Sequence, residues 1–227
     1  MVAQKPLKNP PLVEAIFEIR YDPVDNLADV AARLGSVLND YPEFEDLNVP
    51  PIPKEVPEAS GIVRYRYRSS DRSRLYQVGT GVLSVNILKY SDFSDFRKTI
   101  KEVLDQHQKI VPAQYIKRLG LRYINKIQLR EKSPNDVLNL GCSVPEGFPD
   151  SLGWNSQFIF LSEGKQLKVQ TAYSKDTQEV LLDLDCFSGG LFAYNKDQLM
   201  GWTDSAHQQV EGLFIKSLAP SYLADIS

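Results

Sequence analysis

"YIKRLGLRYINKIQLR", residues 115–130, decides how this chain folds. Successive side chains of an extended strand point to opposite faces. Leu119, Leu121, Tyr123, Ile127 and Leu129 therefore make one row, and Arg118, Arg122, Lys126 and Arg130 make the other. That alternation predicts a long strand with one face for a core and one face of cations. Gly120 interrupts the cationic row between Arg118 and Arg122 and leaves a gap open to a close backbone approach.

The same grammar extends outward in both directions. "LVEAIFEIRY" (12–21) alternates, with Val13, Ala15, Phe17 and Ile19 on one face and Glu14, Glu18 and Arg20 on the other. Residues 25–40 carry apolar side chains at helical steps, with Asp25 or Asn26 placed to cap the first turn. The prolines from Pro42 to Pro57 predict an extended connector. Strands follow at 62–68, 74–80 and 81–90, with a hairpin turn at "GTG" (79–81). An amphipathic helix at 91–109, capped by Ser91 or Ser94, closes this half and puts His107 on its apolar face.

After 110 the order restarts. The strand at 115–130 precedes a short helix at 133–140 and strands at 156–162, 166–174 and 179–188. "FSGGLF" (187–192) reads as a turn, and a long helix at 196–219 ends the chain. Strand, helix, three strands, helix thus appear twice. The expected fold is α+β, an antiparallel sheet system of two similar halves (1–110 and 111–227) packed as one structural unit, its long helices on one sheet face.

Composition is that of a soluble globular protein: 227 residues, 42% hydrophobic, 24% charged, net charge −3. The N-terminus lacks the roughly 7–15-residue apolar run of a secretion signal, and no stretch reaches the ~18 apolar residues of a membrane span. The expected compartment is the cytoplasm, without membrane contact. Cys142 and Cys186 have no CxxC spacing and read as reduced thiols. With two histidines in the chain, His107 and His207, many zinc and acid–base schemes lack residues. No GxSxG, HExxH, GxGxxG or GxxxxGK[ST] run occurs.

The chemistry-bearing residues gather on the face opposite the predicted core. "VRYRYRSSDRSRL" (63–75) holds five arginines, with Arg64, Arg66 and Arg68 opposite Val63, Tyr65 and Tyr67. Arg118, Arg122 and Lys126 join them, against Glu14, Glu18, Asp183 and Asp185. One reading is a solvated ladder of cross-strand charge pairs. A second is a surface for an anionic small molecule or an acidic protein partner, since guanidinium groups grip carboxylate and phosphate in pairs. Arg64, Arg66, Arg118, Arg122, Tyr123, Asn125 and Lys126 would form it. Asn125, polar on an apolar row, would hold a ligand or backbone group there, or make a structural hydrogen bond at a bulge. The alternative is a divalent-metal phosphohydrolase or nucleotide-binding enzyme, with Glu14, Glu18, Asp183 and Asp185 on Mg²⁺ and the cations on phosphates. Nucleic acid is disfavoured, because the tyrosines of "VRYRYR" point away from the arginines.

Four blocks carry a resemblance: "KNPPLVEAIFEIRY" (8–21), "GVLSVNILKYSDFSDF" (81–96), "RLGLRYINKI" (118–127) and "LLDLDCF" followed by the last helix with His207 and Phe214. Together they resemble a sporadically distributed, uncharacterised bacterial and archaeal protein family, over nearly the whole chain. Ala206 stands where the resemblance implies a leucine before His207. The patchy distribution implies a mobile defence or toxin–antitoxin module. The leading expectation is a non-enzymatic interaction protein, with further copies of the chain among its partners.

Overall fold

In the computed structural model, residues 10–49, 61–111, 113–140 and 151–227 are described. The fold is α+β, with a nine-stranded open antiparallel sheet and five helices among those residues. The strands are β1 (Leu12–Tyr21), β2 (Glu43–Asp46), β3 (Val63–Arg68), β4 (Arg74–Gly79), β5 (Val82–Ile87), β6 (Tyr115–Gln128), β7 (Gly153–Ser162), β8 (Lys165–Ser174) and β9 (Glu179–Ala193). Their order across the sheet is β2-β3-β4-β5-β1-β6-β9-β8-β7. No helix among the described residues is long and apolar enough to cross a membrane.

The chain divides into two compact units. The larger comprises Glu14–Leu121 and Phe187–His207; the smaller comprises the residues through Val13, Arg122–Cys186 and Gln208–Ser227.

In the larger unit, alternation places Ala15, Phe17, Ile19 and Tyr21 of β1 in the core, where Tyr67, Tyr76, Val85, Phe96, Ile100 and Leu104 are also buried. Helix α1 (Leu27–Gly35) is shorter than the 25–40 expected. The Asn26 side chain caps it, and Ser36 ends it by donating its N–H to Ala32. Leu38 and Tyr41 stay buried beyond its end. In α2 (Phe93–Ile110) the cap is Asp92, where Ser91 or Ser94 was expected. Its carboxylate accepts from the Asp95 N–H and brings negative charge to the positive end of the helix.

The β4–β5 hairpin turns at Thr80–Gly81 as read. Gly79 is required there, because a Cβ would lie 1.9 Å from the Ile62 carbonyl oxygen. Of the connector after Pro42, Glu43–Asp46 is extended as β2 and pairs with β3, and the stretch from Pro50 to Pro57 lies outside the described residues.

"FSGGLF" is not a turn: β9 runs through it to Ala193. Its neighbour β6 begins as early as Tyr115 and supplies a ladder partner, and the Tyr194 N–H donates to Gln114 just beyond. Helix α4 (Lys196–Ser217) crosses from one unit to the other, burying Leu199, Ala206 and Val210.

In the smaller unit, the core holds Tyr123, Ile127, Leu167, Val169, Leu182, Leu184 and Val210. β7 and β8 form a hairpin of ten unbroken pairs, closed by Glu163 and Gly164, both in the left-handed region at φ 50° and 73°. Two such residues make the primed turn that matches strand twist. Two short helices, α3 (Pro134–Val137) and α5 (Pro220–Asp225), complete the unit.

Candidate functional site

Arg64, Arg66 and Arg68 share the face of β3 opposite buried Tyr65 and Tyr67, as alternation requires. Each meets a carboxylate of the neighbouring strand. Glu45, opposite Arg66 in register, accepts from Arg66 at 3.2 Å and Arg68 at 2.8 Å. The hydrogen bond from Arg68 is the main reason its carboxyl titrates low. Arg64 lies 3.7 Å from Asp46 and over the Tyr65 ring. Arg72 donates to both oxygens of Glu43, and Arg74 to both oxygens of Asp95. Every arginine of the 63–75 stretch is thus matched within the larger unit.

The row continues inward as amides. Arg66 Nε donates 3.0 Å to Gln77 Oε1. Gln77 Nε2 donates 2.9 Å to Asn86 Oδ1, and Asn86 Nδ2 donates 2.6 Å to Glu14. Gln77, Ser84 and Asn86 are buried, so this chain satisfies groups whose desolvation would otherwise be costly. On β1, one oxygen of Glu18 accepts from Arg20 at 2.8 Å and from Arg118 at 2.5 Å. Arg118 also lies 4.8 Å from the Phe187 ring centre. The gap read at Gly120 is filled by this neighbour: a Cβ there would meet Arg118 Nη1 at 2.7 Å.

Of the sequence-selected residues, the smaller unit holds Arg122, Tyr123, Asn125, Lys126, Asp183 and Asp185. Arg122 grips Asp183 through two parallel bonds of 2.8 and 2.6 Å, and the Asp183 side chain is only 2% exposed. Asp185 is buried as well. Tyr123 and Asn125 belong to the core row, not to the polar face; Asn125 Nδ2 donates 3.1 Å to the Leu182 carbonyl, the structural role weighed for it. Lys126 is exposed. Glu14 and Glu18 fall in the larger unit and Asp183 and Asp185 in the smaller, and Glu14, Glu18 and Asp183 each accept from a neighbouring side chain.

His107 is fully buried, with Nε2 3.1 Å from the Tyr21 hydroxyl and Nδ1 3.5 Å from the Tyr194 hydroxyl. Burial pushes its pKa down to about 3. His207 stacks on Phe93 at 3.7 Å between centroids, and burial takes it down to about 4. Both rings are neutral near pH 7 and serve packing. Burial raises the Cys186 thiol to about 12, so it is a core thiol and not a nucleophile; Cys142 lies outside the described residues. A groove of about 600 Å³ lies beside α1, walled by Ala28, Ala31, Gly35, Tyr41, Phe44 and Tyr67. The Tyr67 hydroxyl there is committed to the Ala31 carbonyl at 2.5 Å.

The strongest surface signal is one that sequence reading passed over. β7 ends the sheet and has no strand on its outer side among the described residues. Its exposed apolar residues occupy both faces: Phe158 (40%) and Phe160 (47%) on one, Ile159 (57%) and Leu161 (79%) on the other. In sequence, the sign was available as "FIFL" inside ten residues with no ionisable side chain, GWNSQFIFLS.

No protein-family model matches the chain, and no curated protein matches it.

Proposed function

We propose that this chain is a non-enzymatic interaction protein that works through the open edge of β7. The observation that carries this reading is the uncharged ten-residue edge strand with four exposed large apolar side chains in succession. An edge strand offers a row of unpaired N–H and C=O groups, and proteins that do not use such an edge cover it with a helix or loop, or blunt the strand itself with charge, proline, a bulge or shortness; the last four are read on the strand. β7 carries none of the four. Lysines at Ile159 and Leu161 together should leave the fold intact, by circular dichroism and melting, and remove association through this edge. Association that survives both lysines would refute the reading.

The anion or acidic-partner reading of the sheet face remains a second proposal, favoured by the gathering of Arg64, Arg66 and Arg68 in one row. Glu45 already occupies Arg66 and Arg68, so an acidic partner would have to displace β2. Glu45→Ala should then raise affinity for an acidic peptide, whereas unchanged affinity counts against this surface. The metal-dependent alternative has its own measurement: Mg²⁺ with a nucleoside triphosphate at a hundred times its dissociation constant stabilises a true binder by about 2.7 kcal/mol.

We infer also that residues 1–110 and 111–227 are repeats of one unit whose helices cover one sheet face. Support comes from strand order: outward from β1 run β5, β4 and β3, and outward from β6 run β9, β8 and β7.

A further inference from the structure

We propose that the partner of the β7 edge is β7 of a second copy of this chain, paired antiparallel about a two-fold axis through Ile159. This rests on the reading of β7 as a docking edge.

The first argument is positional. β3 and β7 stand at corresponding places, each third outward from the central β1–β6 pair, and β2 covers the outer side of β3. β7 has no such cover among the described residues.

The second argument is electrostatic. An antiparallel two-fold pairing sets a strand against its own sequence, so any charged strand risks facing like charge with like. GWNSQFIFLS contains no charge and is compatible with itself in every register.

The third argument selects the register. Ser162 and Lys165 close the two-residue hairpin and exchange hydrogen bonds. The even-numbered residues of β7 therefore turn their backbone groups toward β8. Asn155, Gln157, Ile159 and Leu161 direct theirs outward. A two-fold axis perpendicular to the sheet requires a residue to pair with itself. Centring on Ile159 puts Phe158 of each copy opposite Phe160 of the other. It also puts Gln157 opposite Leu161 and Ser156 opposite Ser162. Centring on Phe158 would instead set Phe160 against Ser156 and Ile159 against Gln157. The aromatic match favours Ile159.

The test uses the full chain. Sedimentation equilibrium should give twice the chain mass for wild type. Ile159→Pro, which deletes an outward donor the hairpin does not use, should give the chain mass with the melting transition retained. In a Cys142→Ser background, Ile159→Cys should cross-link to itself under mild oxidation, since the paired Cα atoms are about 5.5 Å apart. Gln157→Cys alone should not, but should cross-link when mixed with Leu161→Cys. Self-linking at Gln157→Cys overturns the register. A monomeric wild type that takes a strand from another protein, and loses it on Ile159→Pro, overturns the second copy but leaves the docking edge standing. A monomer in which Ile159→Pro alters no association removes both. Slow hydrogen exchange at Gln157 and Ile159 in a monomer also overturns the proposal, because a segment of the same chain would then cover the edge.

Discussion

The sheet's two ends solve the same problem in opposite ways. β2 is four residues long, and three of them, Glu43, Glu45 and Asp46, are acidic. Arg64, Arg66, Arg68 and Arg72 hold those carboxylates, and Phe44 packs on Tyr65 and Tyr67. A second strand approaching that edge would meet ion-paired side chains on three of four residues. β7 is ten residues long, keeps register with β8 throughout, and offers four large apolar side chains. The difference teaches that one edge is short and laced with charge while the other is long and plain, and under the proposed function the plain one is the edge that recognises a partner.

The sharpest way to break this contrast is to loosen the unit that presents β7. Arg122→Ala strands a buried carboxylate at Asp183 and should cost about 3–5 kcal/mol by denaturant unfolding. Pairing it with Asp183→Leu should recover most of that loss, since apolar groups can replace a buried ion pair. A full loss persisting in the double variant would show that the pair does more than satisfy itself.

Acid should act on the other end. His107 and His207 both belong to the unit that carries β2, whereas β7 has no titrating side chain. The folded pKa of His107 lies near 3 and its ordinary value at 6.5, so the unfolded state takes up the proton first. The stability that His107 contributes is complete above pH 6.5 and should decline below it at about 1.4 kcal/mol per pH unit toward pH 3, with His207, lowered to about 4, adding a like slope down to pH 4. His107→Gln should remove about half of the combined slope in urea titrations between pH 4 and 6.5, His207 supplying the rest. An unchanged slope would assign the acid sensitivity elsewhere.

Stripping both signs of charge from the protected edge is a gentler intervention. Glu43→Thr and Glu45→Thr combined with Arg68→Thr and Arg72→Thr remove two carboxylates together with two of the guanidiniums they hold, and should leave the larger unit folded while creating association at β2, visible as concentration-dependent light scattering. If that edge stays monodisperse, shortness alone protects it. Gly120→Ala should matter least: the atom it crowds is the tip of the Arg118 side chain, which can swing aside. A loss under about 1 kcal/mol is expected, with weaker holding of Glu18.

Period-two alternation made most of the strands legible, and with them the core rows of β1, β3 and β6. It could not say which strand ends the sheet, and so it gave no weight to "FIFL". Charge partners were equally hidden: Arg122 and Asp183 are 61 residues apart, and only strand order brings them into contact. Asn125 was rightly set on the apolar row, but alternation could not choose between a ligand and a structural bond for it; a backbone carbonyl one strand away satisfies it. The glycine pair in β9 read as a turn because composition ignores the partner β6 supplies. The cap of α2 was missed by one residue, where aspartate and serine compete on equal terms.

The amide chain from Arg66 to Glu14 has one further property. A guanidinium can only donate and a carboxylate can only accept, so the two ends dictate every orientation between them. Gln77 must show its oxygen to Arg66 and its nitrogen to Asn86, and Asn86 its nitrogen to Glu14. Neither amide can flip without setting donor against donor or acceptor against acceptor. Four neighbouring strands are thereby joined by a vectorial lock, in which the sense of each dipole is inherited from the charge at its ends.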